Sequence, residues 1–287
     1  MKRPTLPAAL ARVLPRALAC TLPRTLACTL LALTAAGAHA GRSCESKPPS
    51  VDAVQRSMAL AQRTAAALDA SGAQVVVLAR AGQDLSAYGL RYSHLGLAYK
   101  DNTATANGRP GSGAWRVVHK LNQCGTAQAA VYRQGLGEFF MDDLFDFEAA
   151  VVVLAPEVQA RLMAALPDNT GVAALNTPAY SMVAYPWAQT YQQSNQWALE
   201  TLAMTQDPQA RSRERAQAWL KLKGYEPSTL RISAMKRLGA RVTAANVAFD
   251  DHPNEKRFSD RIETVTVDSV FAWLARSGLG GAVQVVR

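Results

Sequence analysis

Hydrophobic residues along the chain repeat with two periods, one typical of helices and one typical of strands. Between residues 51 and 69 they recur at spacings of three and four, which predicts a helix with one buried stripe. Ser50 precedes this segment and offers an N-cap hydroxyl, and Ser71-Gly72 ends it. The next run, QVVVLAR at residues 74–80, is rich in β-branched side chains and predicts a buried strand.

Two further segments, RYSHLGLAYK and AWRVVHKLNQCG, alternate with the period of strands, and each carries one histidine. The turn-forming loop between them, residues 101–113, predicts an antiparallel hairpin. Alternation puts His94 on the same face as Gly96 and Ala98, and we expect these small neighbours to leave room beside the imidazole. His119 lies in the second strand of the predicted hairpin, so the two histidines are the leading candidates for catalytic residues.

The rest of the pattern predicts a single domain of the α+β class with a mostly antiparallel sheet. Ser194 is predicted as the N-cap of a helix over residues 195–204. The remaining predicted elements are strands over 148–154 and 262–267 and helices over 126–133, 156–166, 211–223, 227–238 and 269–276.

The first forty residues have the composition of a signal peptide. They contain five basic residues and no acidic residue, and an apolar run ends in Ala38-His39-Ala40. We predict cleavage after Ala40, a mature α+β domain over residues 41–287, and a periplasmic or secreted location. The apolar run is too short for a permanent membrane span.

Removal of this segment lowers the formal net charge from +9 to +4. The remaining Lys and Arg residues are interspersed with acids, which argues against a nucleic-acid-binding face. The sequence carries no cofactor signature, and none is predicted. The partners we expect are an envelope component or a small acyl or peptide ligand.

Two cysteines remain in the predicted mature chain. In an oxidising compartment Cys44 and Cys124 are predicted to form a disulfide. The alternative is that Cys124 is a thiolate nucleophile that works with His252, which lies far downstream in a polar loop. That loop, Asp250-Asp251-His252 with Glu255, also has oxygen and nitrogen donors for a metal. No histidine pair accompanies it, so we predict no metal site and expect a hydrogen-bonded loop with salt bridges to Lys256, Arg257 and Arg261.

At RYSHLGLAYK, WRVVHKLNQCG, YSMVAYPWAQTYQQSNQWALE and AFDDHPNEKRFSDRIETVTVDSVFAWL the chain resembles the bacterial domain-of-unknown-function family 2145. That family is uncharacterised, and the resemblance implies a secreted bacterial protein. The order of an S-H-x-G strand, a second polar strand and a later helix is also similar to the permuted papain-like (NlpC-type) hydrolases. This second resemblance implies a permuted papain-like core in which His94 is the base, His119 orients it and Ser194 stands where those enzymes have a cysteine.

Two interpretations of function follow. In the first, the Ser194/His94/His119 site hydrolyses an amide or ester of cell-envelope material. In the second, the same scaffold binds or assembles envelope material without turnover, Ser194 only caps a helix and the histidines belong to the core. A run of aromatic residues can line a groove for a glycan or acyl chain, or pack in the core; it comprises Tyr180, Tyr185, Trp187, Tyr191 and Trp197.

Overall fold

The computed structural model describes residues 48–103, 113–142 and 144–287, which fall within one compact unit. Its strands are β1 (Val75–Ala81), β2 (His94–Asp101), β3 (Ala114–Asn122), β4 (Ala129–Gly135), β5 (Asp146–Val153), β6 (Ser228–Arg231), β7 (Arg261–Thr264) and β8 (Gln284–Val286). Its helices are α1 (Val51–Ala70), α2 (Leu136–Phe140), α3 (Pro156–Ala165), α4 (Asn169–Ala173), α5 (Ser194–Gln206), α6 (Arg213–Leu222), α7 (Ala234–Thr243), α8 (Asn254–Arg257) and α9 (Val267–Arg276).

Six of the strands form one sheet in the order β4-β3-β2-β1-β5-β8, and each neighbouring pair is antiparallel. The predicted α+β class and the β2–β3 hairpin are therefore confirmed. Strands β6 and β7 form a separate two-stranded antiparallel sheet. Within the described residues, none of the helices has the length and hydropathy needed to cross a bilayer.

The large sheet is buried on both faces because its central strands carry apolar residues at successive positions. Val77 and Leu97 face a core that includes Leu199 of α5 and residues of α3, α6 and α9. The alternate positions, including Leu78 and Val117, face a second core with α1 and α2. A third, smaller cluster joins the β6–β7 sheet to the loop around Phe249.

Several predicted elements are wrong in type or position. The predicted helix over 126–133 is instead a turn followed by β4, which pairs with β3 along its whole length. The predicted helix over 227–238 is divided into β6 and α7, since Ser228–Arg231 pairs with β7. The last helix begins at Val267, with Thr266 as its cap. The predicted signal peptide and Cys44 lie outside the described residues.

Candidate active site

Two histidine side chains meet on the α2 side of the sheet. Nε2 of His94, at the start of β2, is 2.8 Å from Nδ1 of His119 in β3. Their rings meet edge to face, and the ring of Phe139 in α2 lies against both, with centroids 6.0 and 5.1 Å away. The structure thus joins two histidines that stand on neighbouring strands, 25 residues apart in the chain.

Gly96 explains how the two rings fit together. A Cβ atom at this position would lie 2.6 Å from Cγ1 of Val117 and 3.1 Å from Cβ of His119. The expectation that small residues leave open space beside the imidazole is therefore wrong at Gly96. That space is filled by β3, and the glycine allows His119 to approach His94.

Hydrogen bonds fix the tautomers of this pair. Nε2 of the Gln134 amide donates to Glu138 Oε1 at 3.0 Å, so the Gln134 oxygen faces His119 Nε2 at 2.7 Å. An amide oxygen only accepts, which puts the His119 proton on Nε2 and leaves Nδ1 as an acceptor. His94 Nε2 must then donate to His119. The remaining nitrogen of His94, Nδ1, carries a lone pair and has no hydrogen-bond partner among the described residues.

Both histidines are neutral at physiological pH. Burial lowers the pKa of His94 well below its ordinary value of 6.5, and the nearby Arg80 and His119 act in the same direction. Burial and the charge of Arg80 lower the pKa of His119 to about 3, although its bond to Gln134 acts in the opposite direction. A neutral imidazole with an unpaired Nδ1 is in the correct state to accept a proton.

Ser194 is the first residue of α5, and the predicted capping role belongs to its neighbour. The side chain of Gln193 accepts from the backbone N–H of Asn195 and caps the helix, so the prediction that Ser194 is the N-cap is wrong. The Ser194 hydroxyl is not used for capping. It interacts with the hydroxyl of Tyr180. Burial raises the pKa of Tyr180, and the contact with Ser194 offsets part of that rise.

The first turn of α5 is anchored on both sides of Ser194. Gln193 Nε2 donates to Thr264 Oγ1 at 2.7 Å and to the carbonyl of Val265 at 2.6 Å. Asn195 Oδ1 accepts from the backbone N–H of Leu95 at 3.0 Å, and its Nδ2 donates to the carbonyl of Ser93 at 3.5 Å. These bonds hold the start of the helix against the backbone on either side of His94.

His94 and Ser194 line the same cavity, which has a volume of about 260 Å³. Polar groups of β2, α5 and β7 form one part of its wall, while Leu90, Met182, Ile232 and other apolar side chains form the rest. Lys236 of α7 also lines it. Within the described residues, no hydrogen bond joins Ser194 to either histidine, so the structure gathers the three predicted residues in one region without connecting them as a triad.

The backbone N–H of Ser194, at the start of α5, adds to the polar part of the cavity. The N–H of Asn195 is bound to the Gln193 side chain, and that of Trp197 is bound to the Gln193 carbonyl. The N–H groups of Ser194 and Gln196 find no acceptor in the part of the chain that the structure describes. Free N–H groups at the positive end of a helix can stabilise a developing negative charge.

Cys124 does not stand at the start of a helix. It lies in the turn between β3 and β4, so the helix start expected of a papain-like thiol nucleophile is not present there. The Cys44–Cys124 disulfide stays a prediction because Cys44 is outside the described residues. His252, the proposed partner of Cys124, is used elsewhere.

His252 fastens its loop to β7. Its Nδ1 is 2.9 Å from Asp251 Oδ1 and its Nε2 is 3.1 Å from the carbonyl of Glu263. Asp250 contacts the Tyr191 hydroxyl. Lys256 pairs with Glu263 rather than with the aspartates. Within the described ranges, no cluster of three His, Cys, Asp or Glu side chains is arranged to hold a metal ion.

The predicted aromatic run is divided between the cavity and the core. Tyr180 lines the cavity. Trp197 is buried and donates to the carbonyl of Val172, while Trp187 packs against Tyr225. The roles of Gln134, Glu138 and Asn195 are not predicted from the sequence. The sequence signal for Asn195 is the polar run QQSNQ at residues 192–196, and the structure buries all five of these residues.

Comparison with known families identifies the family of this chain. A family described as "Uncharacterized protein conserved in bacteria (DUF2145)" matches residues 67–274, which include both histidines and Ser194. No curated protein and no solved structure matches the chain. The resemblance to papain-like hydrolases therefore stays a prediction.

Proposed function

Because this chain belongs to the uncharacterised bacterial family DUF2145, we propose its function from the site itself: a serine hydrolase that cleaves an ester or amide bearing an apolar chain. One observation carries this proposal. The hydroxyl-bearing Ser194 and the imidazole of His94 line a single cavity whose remaining wall is largely apolar. A reactive polar end joined to an apolar chamber fits a substrate with an acyl or similarly apolar group.

The chemistry assigns one step to each group. Ser194 Oγ adds to the carbonyl carbon, and His94 Nδ1 accepts the hydroxyl proton. The N–H group of Ser194, at the positive end of α5, stabilises the oxyanion. His94 then gives the proton to the leaving oxygen or nitrogen, which departs and leaves an acyl-serine. A water molecule, deprotonated by His94, hydrolyses that ester and restores both side chains.

His119 and Gln134 act as positioning residues in this scheme. They keep the proton of His94 on Nε2, so that Nδ1 stays available for the serine. A base whose one nitrogen is oriented by a polar neighbour while the other faces the nucleophile is what the papain-like resemblance implies. Serine in place of cysteine makes the base more important, since a hydroxyl is a weaker nucleophile than a thiolate.

The proposed location is the periplasm or the exterior of the cell. The basic and apolar composition of residues 1–40 supports export, with cleavage after Ala40. The substrate is then a component of the cell envelope. Intact mass of protein recovered from a periplasmic extract tests this part separately, and a mass that retains residues 1–40 would refute it.

A second function, binding of the same ligand without turnover, is favoured by one observation. No hydrogen bond joins Ser194 to His94 in the described region, whereas hydrolysis requires the two to meet at least transiently. Contacts of this kind often form only when a substrate is present. The two functions differ in whether the serine becomes covalently modified.

The test is labelling with an alkyl fluorophosphonate, which reacts with activated serines and carries an apolar chain. Mass spectrometry of a digest is expected to find the adduct on Ser194, and the His94→Ala variant is expected to lose it. Ser93→Ala is the matched control, because Ser93 lines the same cavity and accepts from the N–H of Gly82. Saturable binding of a fatty-acyl ligand with no adduct at Ser194 would support the binding function and refute the hydrolase.

A further inference from the structure

Helix α7 exposes an apolar stripe. Met235, Leu238 and Val242 are separated by three and four residues, which aligns them on one face, and they are 77%, 59% and 60% exposed. None of the ten residues of the helix is buried. Scattered single apolar residues are common on protein surfaces, but three aligned on one otherwise polar helix form a contact surface. We call these three residues the apolar stripe.

The opposite side of α7 covers the cavity. Lys236 and Ala240 line it, and the guanidinium of Arg237 lies over the ring of Phe249, 5.3 Å from its centroid. Phe249 also lines the cavity. One short helix therefore separates an apolar chamber from an apolar outer surface.

The charges of α7 indicate the kind of surface it meets. Lys236, Arg237 and Arg241 are its charged residues, and it contains no acid. No carboxylate in the described part of the chain forms a salt bridge with any of the three. Basic residues beside an exposed apolar stripe are the pattern of helices that lie in the headgroup region of an anionic bilayer.

We propose that α7 docks this protein on the surface of a membrane that contains anionic lipid. The apolar stripe enters the boundary between headgroups and acyl chains, and the exposed side chains of Lys236 and Arg241, at the two flanks of the stripe, contact the lipid phosphates. The cavity then lies directly behind the docked helix, where an apolar chain leaving the bilayer can reach it. This interaction goes beyond the proposed hydrolase and does not require that the site turn over.

The test is co-sedimentation of the purified protein with vesicles of phosphatidylcholine alone and with phosphatidylglycerol added. We expect binding to the anionic vesicles and little binding to the neutral ones. Replacement of Lys236 and Arg241 by Gln is expected to weaken binding about fivefold for each charge removed. The triple variant Met235→Ser/Leu238→Ser/Val242→Ser is expected to bind at least about tenfold more weakly.

Leu222→Ser is the matched control, because Leu222 is 81% exposed on α6 and is expected not to affect vesicle binding. All replaced side chains are exposed, so thermal unfolding should be unchanged in every variant. Equal binding to both vesicle types, or full binding by the triple variant, would overturn the proposal. So would self-association, measured by light scattering, that the triple variant abolishes while vesicles fail to bind, since the stripe would then contact a second copy of the chain.

Discussion

Oδ1 of Asn195 accepts a hydrogen bond at 3.0 Å from the backbone N–H of Leu95, one hundred residues earlier in the chain. The amide nitrogen of the same side chain donates to the carbonyls of Ser93 and Val265, at 3.5 and 3.4 Å. One buried amide thus holds the first turn of α5 to β2 and to the segment after β7. Because His94 lies between Ser93 and Leu95, Asn195 sets how near the helix start comes to the imidazole.

Asn195→Ala is expected to lower both stability and function. It leaves the buried N–H of Leu95 and the partly buried carbonyl of Ser93 without this partner, so we expect the free energy of unfolding to fall by about 1–3 kcal/mol. Urea unfolding measures this loss, and fluorophosphonate labelling of Ser194 should slow in the folded variant. Asn254→Ala at the exposed start of α8 is the control, with a change within about 0.5 kcal/mol. An equal loss in both variants would contradict the anchoring role.

The short apolar runs are sufficient to predict β2, β3 and their pairing, because both strands are buried on both faces in the interior of the sheet. The segment of β4 is wrongly predicted as a helix because it is only half-buried and lacks the apolar run of the inner strands. Its strand conformation is imposed by pairing with β3, where Tyr132 faces His119, and such pairing is not visible in local sequence. The strand conformation of β6 is likewise imposed by its pairing with β7.

The candidate site was predictable to a similar extent. The two histidines were marked by their repetition on adjacent strands, and Ser194 by its place before a helix. The contacts that define their chemistry come from Gln134, Glu138 and Asn195. A single amide in a strand or helix carries no distinctive sequence pattern, and its function appears only when the fold brings a distant partner to it.

Gly96→Ala is expected to destabilise the protein. Its Cβ would lie 2.6 Å from Cγ1 of Val117 and 3.2 Å from the carbonyl oxygen of Val118, so β3 and His119 must shift. Overpacking of this kind costs about 1–3 kcal/mol. Gly239→Ala in α7 is the matched control, because nothing lies within 4 Å of the added Cβ. In a helix that change is expected to stabilise by about 0.5–1 kcal/mol, and thermal unfolding separates the two cases.

Stability is expected to fall as the pH is lowered from 6.5 to 5. The pKa of His119 is lowered from 6.5 to about 3 in the folded protein, so in this range the unfolded chain binds the proton and the folded chain does not. The stabilising contribution is complete above pH 6.5 and is lost as the pH falls toward 3. Each such histidine lowers the free energy of unfolding by about 1.4 kcal/mol per pH unit.

Denaturant unfolding at several pH values measures this slope, and His119→Asn provides the comparison. The window stays above the ordinary pKa of carboxyl groups, so the difference between the two curves isolates His119. His94 contributes in the same direction, because its pKa is also lowered. Parallel curves for wild type and variant would show that His119 is protonated equally in both states.

Glu200→Gln is expected to be among the most destabilising single substitutions outside the cavity. Glu200 is fully buried and accepts from Arg213 Nε at 2.8 Å, Gln192 Nε2 at 2.6 Å and Gln217 Nε2 at 2.7 Å. Its negative charge also offsets the positive charge of Arg213 near the buried Lys120. Burial lowers the pKa of Lys120 to about 7, and the charge of Glu200 acts in the opposite direction. Loss of one partner from a buried ion pair costs about 3–5 kcal/mol. Glu226→Gln is the exposed control, and similar unfolding free energies for the two variants would refute this role.

The last prediction concerns the position of a single proton. Gln134→Leu removes the acceptor of the His119 Nε2 proton. The proton then moves to Nδ1 of His119, where it faces His94. His94 Nε2 must then become the acceptor, and the proton of His94 moves to its Nδ1. In the proposed mechanism, Nδ1 is the nitrogen that accepts the proton of Ser194.

Nitrogen-15 NMR shows directly which nitrogen of each imidazole carries the proton, and the measurement does not depend on activity. In the wild type we expect a protonated Nε2 and a bare Nδ1 on His94, and the reverse in Gln134→Leu. The signals of His252 are the internal control, since its partners Asp251 and Glu263 do not change. If the site is a hydrolase, the same variant should lose about 100-fold or more in kcat with little change in KM, because a base in the wrong tautomer cannot act. Gln134→Glu keeps an acceptor and should retain the wild-type tautomer, so inversion in that variant as well would exclude Gln134 as the group that sets it.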